Sequence, residues 1–293
     1  MNILDRSFAA LVHSLKIGFL SAPVVPGARW QSTTAPQHMV ELFNRSFTWE
    51  LHGYEDLDNY RQAIKPNLPW ADRHFEEERV SGEPINPGET WKIWPYAASA
   101  ARHLRDGENV PQYDHSYAER YWPKLAGMTD DGRIESLQRG EHCDTMGIRF
   151  PIGDLNDLVE VLLNDPLTRQ GYLPIYFPED TAAARMGKRV PCTLGYHFIR
   201  RKALDGKDYL HVVYPMRSCD FVRHFRDDVY LTIRLLLWVL DRLREKDPME
   251  WACVDPGSLR MHITSLHMFV QDRENLANQM RADQVATGAG SVA

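Results

Sequence analysis

At 293 residues, 43% of them hydrophobic and 25% charged, the chain can bury a sizeable core and is too apolar for wholesale disorder. A formal net charge of −6 and an isoelectric point near 6.1 exclude a general attraction to nucleic acid or acidic membranes, and leave room for a local basic pocket that takes a small anion. Four cysteines, Cys143, Cys192, Cys219 and Cys253, show no CxxC spacing and no secretory leader precedes them, so thiols in a reducing cytoplasm are expected.

In chain order, "FAALVHSLKIGFL" (8–20) is too short and too interrupted to span a bilayer or to act as a signal sequence. "MVELFNRSFTWEL" (39–51) alternates apolar and polar residues and predicts a strand. "PWADRHFEEERV" (69–80) predicts a long helix whose apolar face is drawn by Trp70, Ala71 and Phe75. Glu78 falls on that face, seven residues after Ala71, while Glu76 points away. A buried carboxylate is costly unless it is used or paired, which makes Glu78 a candidate acid or base, with Glu77 the second choice.

"DLNDLVEVLLNDP" (154–166) places Leu155, Leu158, Val159 and Leu162 at helical spacing behind an Asp cap and ends before Pro166. "CTLGYHFIRRKALDGKDYLHVVYPMRS" (192–218) reads as two strands joined by a turn at "DGKD". "DVYLTIRLLLWVLDRLREK" (228–246) is apolar almost all round and predicts a buried helix. Strands and long helices without a regular βαβ rhythm predict an α+β fold, a mixed sheet packed against a long buried central helix. With no internal repeat and low complexity only in "ATGAGSVA" (286–293), one domain over 1–293 is expected, with 273–293 a flexible C-terminal tail.

Two stretches carry chemistry. Cys192, in "KRVPCTLGYHF", follows Lys188 and Arg189, and neighbouring cations lower a thiol's pKa and raise the reactive thiolate fraction. "RSCDFVRHFRDD" (217–228) crowds basic and acidic groups just before the most apolar run of the chain.

Pro191-Cys192, then "RSCD" beginning 25 residues after the cysteine, an acid at 228 eight residues beyond Asp220, and "HITSLH" (262–267) resemble the thymidylate synthase family in order and spacing. "TWKIWP" (90–95), "YAERYW" (117–122) and "DLVEVLLNDPLTRQ" (157–170) are similar to further family segments, so the likeness spans about residues 25–272. The resemblance implies a thymidylate synthase-like fold, a sheet-mediated homodimer and 5,10-methylenetetrahydrofolate as the one-carbon donor. It implies that the Cys192 thiolate adds to carbon 6 of a pyrimidine nucleotide and makes carbon 5 nucleophilic. Arg217 would serve both thiolate and phosphate, with Ser218, Arg29 and Arg169 at the phosphate, Arg169 reaching across to the partner's site. Asp220, Trp91 and Trp94 would hold the folate, Glu78 would move protons, and His262 and Thr264 would hold the sugar.

The family's uracil-specific members carry asparagine where this chain has Asp228. An ionised carboxylate cannot donate to the uracil 4-oxygen but accepts from the cytosine 4-amino group and from a protonated N3. Asp228 thus resembles the deoxycytidylate/cytidylate 5-hydroxymethylase branch, in which water adds to the exocyclic methylene and tetrahydrofolate is not oxidised. dCMP is the first expectation. A CMP hydroxymethylase of nucleoside antibiotic biosynthesis stands beside it, because Thr264 leaves room for a 2′-hydroxyl. Thymidylate synthase or dCMP methyltransferase activity is the alternative within the chemistry. Gln170, Thr193 and a glycine absent between Asp220 and Asp228 leave a catalytically silent nucleotide-binding homologue as the alternative outside it. Arg223, His224, Arg226 and Asp227 have no assigned role and are expected as a solvated loop. Neither membrane nor nucleic acid is expected as a partner, and a cytoplasmic location is.

Overall fold

The computed structural model describes residues 2–28, 37–104, 112–126 and 152–286, so Arg29 and Cys143 lie outside the described residues. Helix α1 (Ile3–Ser21) starts at a reciprocal cap between Asn2 and Asp5, and its stripe Leu4, Phe8, Val12, Leu15 and Phe19 is buried. The N-terminal apolar segment is therefore an amphipathic helix on the core; among the described residues no helix is long and apolar enough to cross a membrane.

Strands β1 (Val24–Ala28) and β2 (Gln37–Glu50) lead to α2 (Leu57–Ile64) and α3 (Trp70–Arg73). The expected long helix over 69–80 is not uniform: α3 runs directly into a π-helical stretch, His74–Arg79, closed by the bond from Val80 N to Phe75 O. A 3-10 turn at Thr90–Ile93 precedes α4 (Ala97–Ala101), α5 (Tyr117–Tyr121) and α6 (Leu155–Asn164). Helix α6 has the Asp154 cap and buries Leu155, Leu158, Val159 and Leu162, as its spacing predicts. β3 (Tyr172–Pro174) and α7 (Pro178–Arg185) follow.

The remaining elements build the frame of the site. β4 (Gly195–Lys202) and β5 (Asp208–Asp220) form a hairpin around the Asp205–Gly206 turn, where Gly206 takes a φ of 83°. From β5 the chain crosses through α8 (Phe225–Lys246) and α9 (Pro248–Trp251) to β6 (Val254–Phe269), which lies parallel to β5. A parallel pair needs such a crossover, and here it is the apolar helix. Every residue of α8 from Val229 to Leu237 is buried. One six-stranded mixed sheet results, in the order β1-β2-β6-β5-β4-β3, with all other pairs antiparallel.

On β5, Leu210, Val212, Tyr214 and Met216 are buried, whereas the alternate residues His211, Val213 and Pro215 are only partly covered. The segment expected as a tail from residue 273 is instead helical to Ala286. This is α10 (Val270–Ala286), anchored by buried Leu276 and by a bond from Arg273 to the Ala22 carbonyl.

Candidate active site

The parallel β5–β6 register sets Ser218 beside Ser265 and Asp220 beside His267. Cys192 is tied to the same place, because the Arg217 amide donates to the Cys192 carbonyl at 2.9 Å and Thr193 bridges to Met216. These residues form one wall of a cavity of about 570 Å³, in the size range of small-molecule sites. Asp228, in the first turn of α8, completes that wall; the π-helical stretch and the 3-10 turn supply the opposite one with His74, Glu78, Arg79, Trp91 and Trp94.

At the nucleophile wall, Arg217 Nη2 lies 3.8 Å from Cys192 Sγ. The same guanidinium donates to the Pro191 and Val190 carbonyls, both at 2.9 Å, and so clamps the loop that presents the thiol. The expectation of a depressed thiol pKa is reversed. Burial pushes Cys192 above its ordinary value; Arg217 and Arg189 pull it down, while Asp228 and Asp220 add to the rise. Two acids share the wall with two cations, and desolvation wins.

Asp228 faces the same cavity and accepts a bond from Cys219 Sγ at 3.4 Å. Burial pushes its carboxyl up to about 7, with Asp227 and Asp220 adding to the rise and Arg79 and the Cys219 bond opposing it. Near neutral pH this group therefore exists in both protonation states, and it can both accept and donate.

Glu78 behaves in the opposite way. It is 5% exposed, and Oε1 accepts from the backbone amides of Glu89 (2.9 Å) and Thr90 (2.8 Å) while Oε2 meets His74 Nδ1 at 2.8 Å. Burial alone would raise its pKa, but the hydrogen bonds from His74 and Thr90 outweigh burial and hold the carboxyl below its usual range. Gly88 makes this contact possible: with φ at 74°, a Cβ there would stand 2.2 Å from Glu78 Oε1. Glu77 is exposed and paired with Arg73 at 2.7 Å, so of the two candidate glutamates only Glu78 reaches the cavity.

The aromatic wall is deeper than a tryptophan pair. Trp94 packs on Trp70 at 5.6 Å and stacks on His224 at 5.0 Å, and Trp70 in turn stacks on His74 at 4.9 Å. Asp220 is 3% exposed and already accepts three bonds: Oδ1 takes the amides of Val222 and Arg223 at 3.0 Å each, and Oδ2 takes the Arg223 guanidinium at 3.2 Å. A carboxylate has about four acceptor positions, so among the described residues one is left on Oδ2.

The expected solvated loop is absent. Arg223 bridges Asp220 to Asp272 of α10, His224 stacks on Trp94, and Arg226 donates to the Ile64 carbonyl. Asp227, 2% exposed, accepts both the backbone and the side-chain N–H of Asn67 at 2.8 Å.

Cys192, Arg217, Ser218, Asp220, Asp228, Glu78, Trp91 and Trp94 are thus brought to one cavity. His262 and Thr264 are not among its lining. On β6 they alternate with the residues that face it; His262 instead meets Ser46 Oγ at 2.7 Å and Thr264 is exposed. Ser265 and His267 line the cavity in their place, and His267 Nδ1 is 3.5 Å from Ser218 Oγ. Arg169 is exposed outside the cavity, its carbonyl accepting from His197 Nε2 at 3.1 Å beside the uncovered sheet face. Sequence reading missed His74, Arg79, Tyr117 and His267. Tyr117 was within reach, because it opens "YAERYW"; it lies 2.9 Å from Thr193 Oγ1, which also meets Tyr214 at 2.8 Å.

The sequence matches no protein-family model and no curated protein. In three dimensions it is similar to the thermostable thymidylate synthase A from Bacillus subtilis, with a TM-score of 0.54 and 12% identity over 96% of this chain and 84% of that one. The fold is thymidylate synthase-like. At that identity the likeness speaks for the fold alone, and within the thymidylate synthase-like fold the chemistry of this chain has to be argued from its own cavity.

Proposed function

We propose that the chain is a pyrimidine nucleotide 5-hydroxymethylase, which transfers a one-carbon unit from 5,10-methylenetetrahydrofolate to carbon 5 of dCMP or CMP through a covalent Cys192 adduct. The observation that carries this reading is the position of Asp228, a half-buried carboxyl pushed up to about 7 that faces the same cavity as the Cys192–Arg217 pair. One carboxyl oxygen accepts from the 4-amino group of cytosine, and the proton held between the other oxygen and N3 completes the pair. The neutral form of Asp228 supplies the donor that cytosine N3 needs, and the ionised form, which has no donor for the uracil 4-oxygen, is the one that disfavours uracil.

Cys192 supplies the sulfur that adds to carbon 6, and Arg217 draws the phosphate end of an anionic nucleotide to the thiol. Burial favours the protonated thiol, so the addition requires that proton to leave, and the permanent charge of Arg217 favours the loss. Methylenetetrahydrofolate, when bound, supplies a one-carbon unit at the oxidation level of formaldehyde. The residues present fit it: Trp91, Trp94 and His224 offer stacking surfaces, and Asp220 keeps one acceptor position for a ring N–H. Glu78 would take the proton from carbon 5, give it up to the departing amine, and then take one from the water that adds to the exocyclic methylene. His267, next to Ser218, is the side chain placed to hold a sugar hydroxyl.

A cytoplasmic homodimer completes the reading. Ile199, His211, Val213, Pro215, Arg260 and His262 share one sheet face and are half-buried or exposed, and exposed Arg169 borders it. A second copy of the chain on this face would bury the apolar members and bring its Arg169 toward the phosphate end of the cavity.

Release of tritium from carbon 5 of labelled dCMP and CMP, with and without the folate, tests the reading. Cys192-dependent release without dihydrofolate formation is expected. A rise in dihydrofolate absorbance would turn the reading to methylation, and no release from either nucleotide would turn it to a silent binding homologue.

A further inference from the structure

The π-helical wall holds three side chains in a run of hydrogen bonds, and two of them, Arg79 and His74, have no part in the reaction as stated. Arg79 Nε donates to His74 Nε2 at 3.0 Å, and His74 Nδ1 lies 2.8 Å from Glu78 Oε2. A guanidinium has only donors and keeps its charge, so the Nε2 it meets must present a lone pair. The single imidazole proton therefore sits on Nδ1 and is donated to Glu78, with Thr90 Oγ1 a longer neighbour at 3.2 Å. A second proton on His74 would set N–H against N–H.

We propose that Arg79 and His74 are positioning residues, a relay that fixes Glu78 as an ionised proton acceptor and so makes it the base of the site. The inference rests on reading the cavity as a one-carbon transfer site. The π turn is its structural origin, because Glu78 and Arg79 are adjacent in sequence and both are only 5% exposed. Arg79 has no ion pair with a carboxylate among the described residues; its charge lies 4.3 Å over the Tyr117 ring, Nη1 reaches the Tyr121 hydroxyl at 3.4 Å, and Nε is committed to the His74 ring. A buried guanidinium is costly unless its charge is used, and holding Glu78 ionised is a use.

The surroundings support the assignment. Burial, with Arg79 adding to it, pulls His74 below its ordinary pKa despite the Glu78 bond. The groups that face the relay are Tyr113 from the segment before α5, Tyr117 and Tyr121 of α5, Tyr196 of β4, Tyr214 of β5 and Asp227 and Asp228 of α8. Burial raises each of these tyrosines and pushes Asp228 up to about 7, and among these groups Glu78 is the carboxylate that the relay meets in a direct hydrogen bond.

Imidazole nitrogen-15 spectra of the full chain, assigned with His74→Gln, read the relay without any turnover. His74 should stay the neutral Nδ1–H tautomer from about pH 5 to pH 8, although free imidazoles titrate near pH 6.5. His74→Phe keeps the stacking on Trp70 and removes the donor. It should move the acidic limb of tritium release upward by about one pH unit, with the nucleotide KM changed less than about twofold. His74→Gln, which retains an N–H donor, should recover most of that shift. An Nε2–H tautomer or an imidazolium at neutral pH would overturn the relay, as would an unmoved acidic limb in His74→Phe with the rate lowered equally at every pH. Absence of tritium release in the wild type would refute the assigned reaction and leave the tautomer as the test of the relay.

Discussion

The two walls of the cavity treat buried carboxyls in opposite ways. On the α8 wall, Asp228 has one weak thiol donor and two acidic neighbours, and burial lifts it to about 7. On the π-helical wall, Glu78 is as well buried, yet two backbone amides and His74 hold it below its ordinary value. Burial alone does not decide a protonation state; the number of donors aimed at the carboxylate does. The contrast divides the labour, with a neutral-capable carboxyl reading the base edge and an ionised one accepting protons.

That division can be broken from either side, starting with the group both walls serve. Cys192→Ala should reduce tritium release from carbon 5 to background while nucleotide binding, followed by calorimetry, persists. Glu78→Gln should lower kcat by roughly 10²- to 10⁴-fold, the usual worth of a general base, with little change in KM. Gly88→Ala should approach about a 10²-fold loss without touching a catalytic group, because the new Cβ displaces Glu78 from its two amide donors.

Asp228→Asn should change selectivity more than rate, moving the ratio of kcat/KM for cytosine over uracil nucleotides toward uracil by about 10²-fold. An unmoved ratio would mean that the base is read elsewhere. The same variant should also be the more stable protein above neutral pH. The native carboxyl binds a proton that the unfolded chain has lost between about pH 4 and pH 7, so this group's contribution to stability falls as pH rises through that window. The Tm advantage of Asp228→Asn should therefore grow from about pH 4 to pH 7 and level off, reaching roughly 4 °C or more.

The α8 wall was legible in the sequence because its residues follow strand alternation and fixed spacing. Arg217, Ser218, Asp220 and Asp228 were placed by a contiguous strand and the helix that follows it, and Cys192 by its spacing from them. The π-helical wall was only half legible. A regular helical wheel finds Glu78, but it puts Arg79 on a polar flank and does not pair Arg79 with His74, since nothing in "HFEEER" announces a π turn. His262 and Thr264 failed for a different reason. Which alternate residues of β6 face the cavity depends on the β5–β6 register, and a slip of one residue exchanges the faces. The solvated-loop expectation for 223–227 failed because charge in a sequence does not show its partners; Asn67 and Asp272 lie far from it along the chain. The thiol pKa failed likewise, since the adjacent cations are visible in the sequence while the burial that outweighs them, and the proximity of Asp228 and Asp220 that adds to it, are not.

The most direct test of the proposed function is a side-by-side incubation of CMP, dCMP and dUMP with methylenetetrahydrofolate, followed by mass measurement of the product. The account predicts a cytosine nucleotide heavier by one CH2O unit and no dihydrofolate. A product heavier by CH2 with dihydrofolate formed, or turnover of dUMP alone, would contradict it.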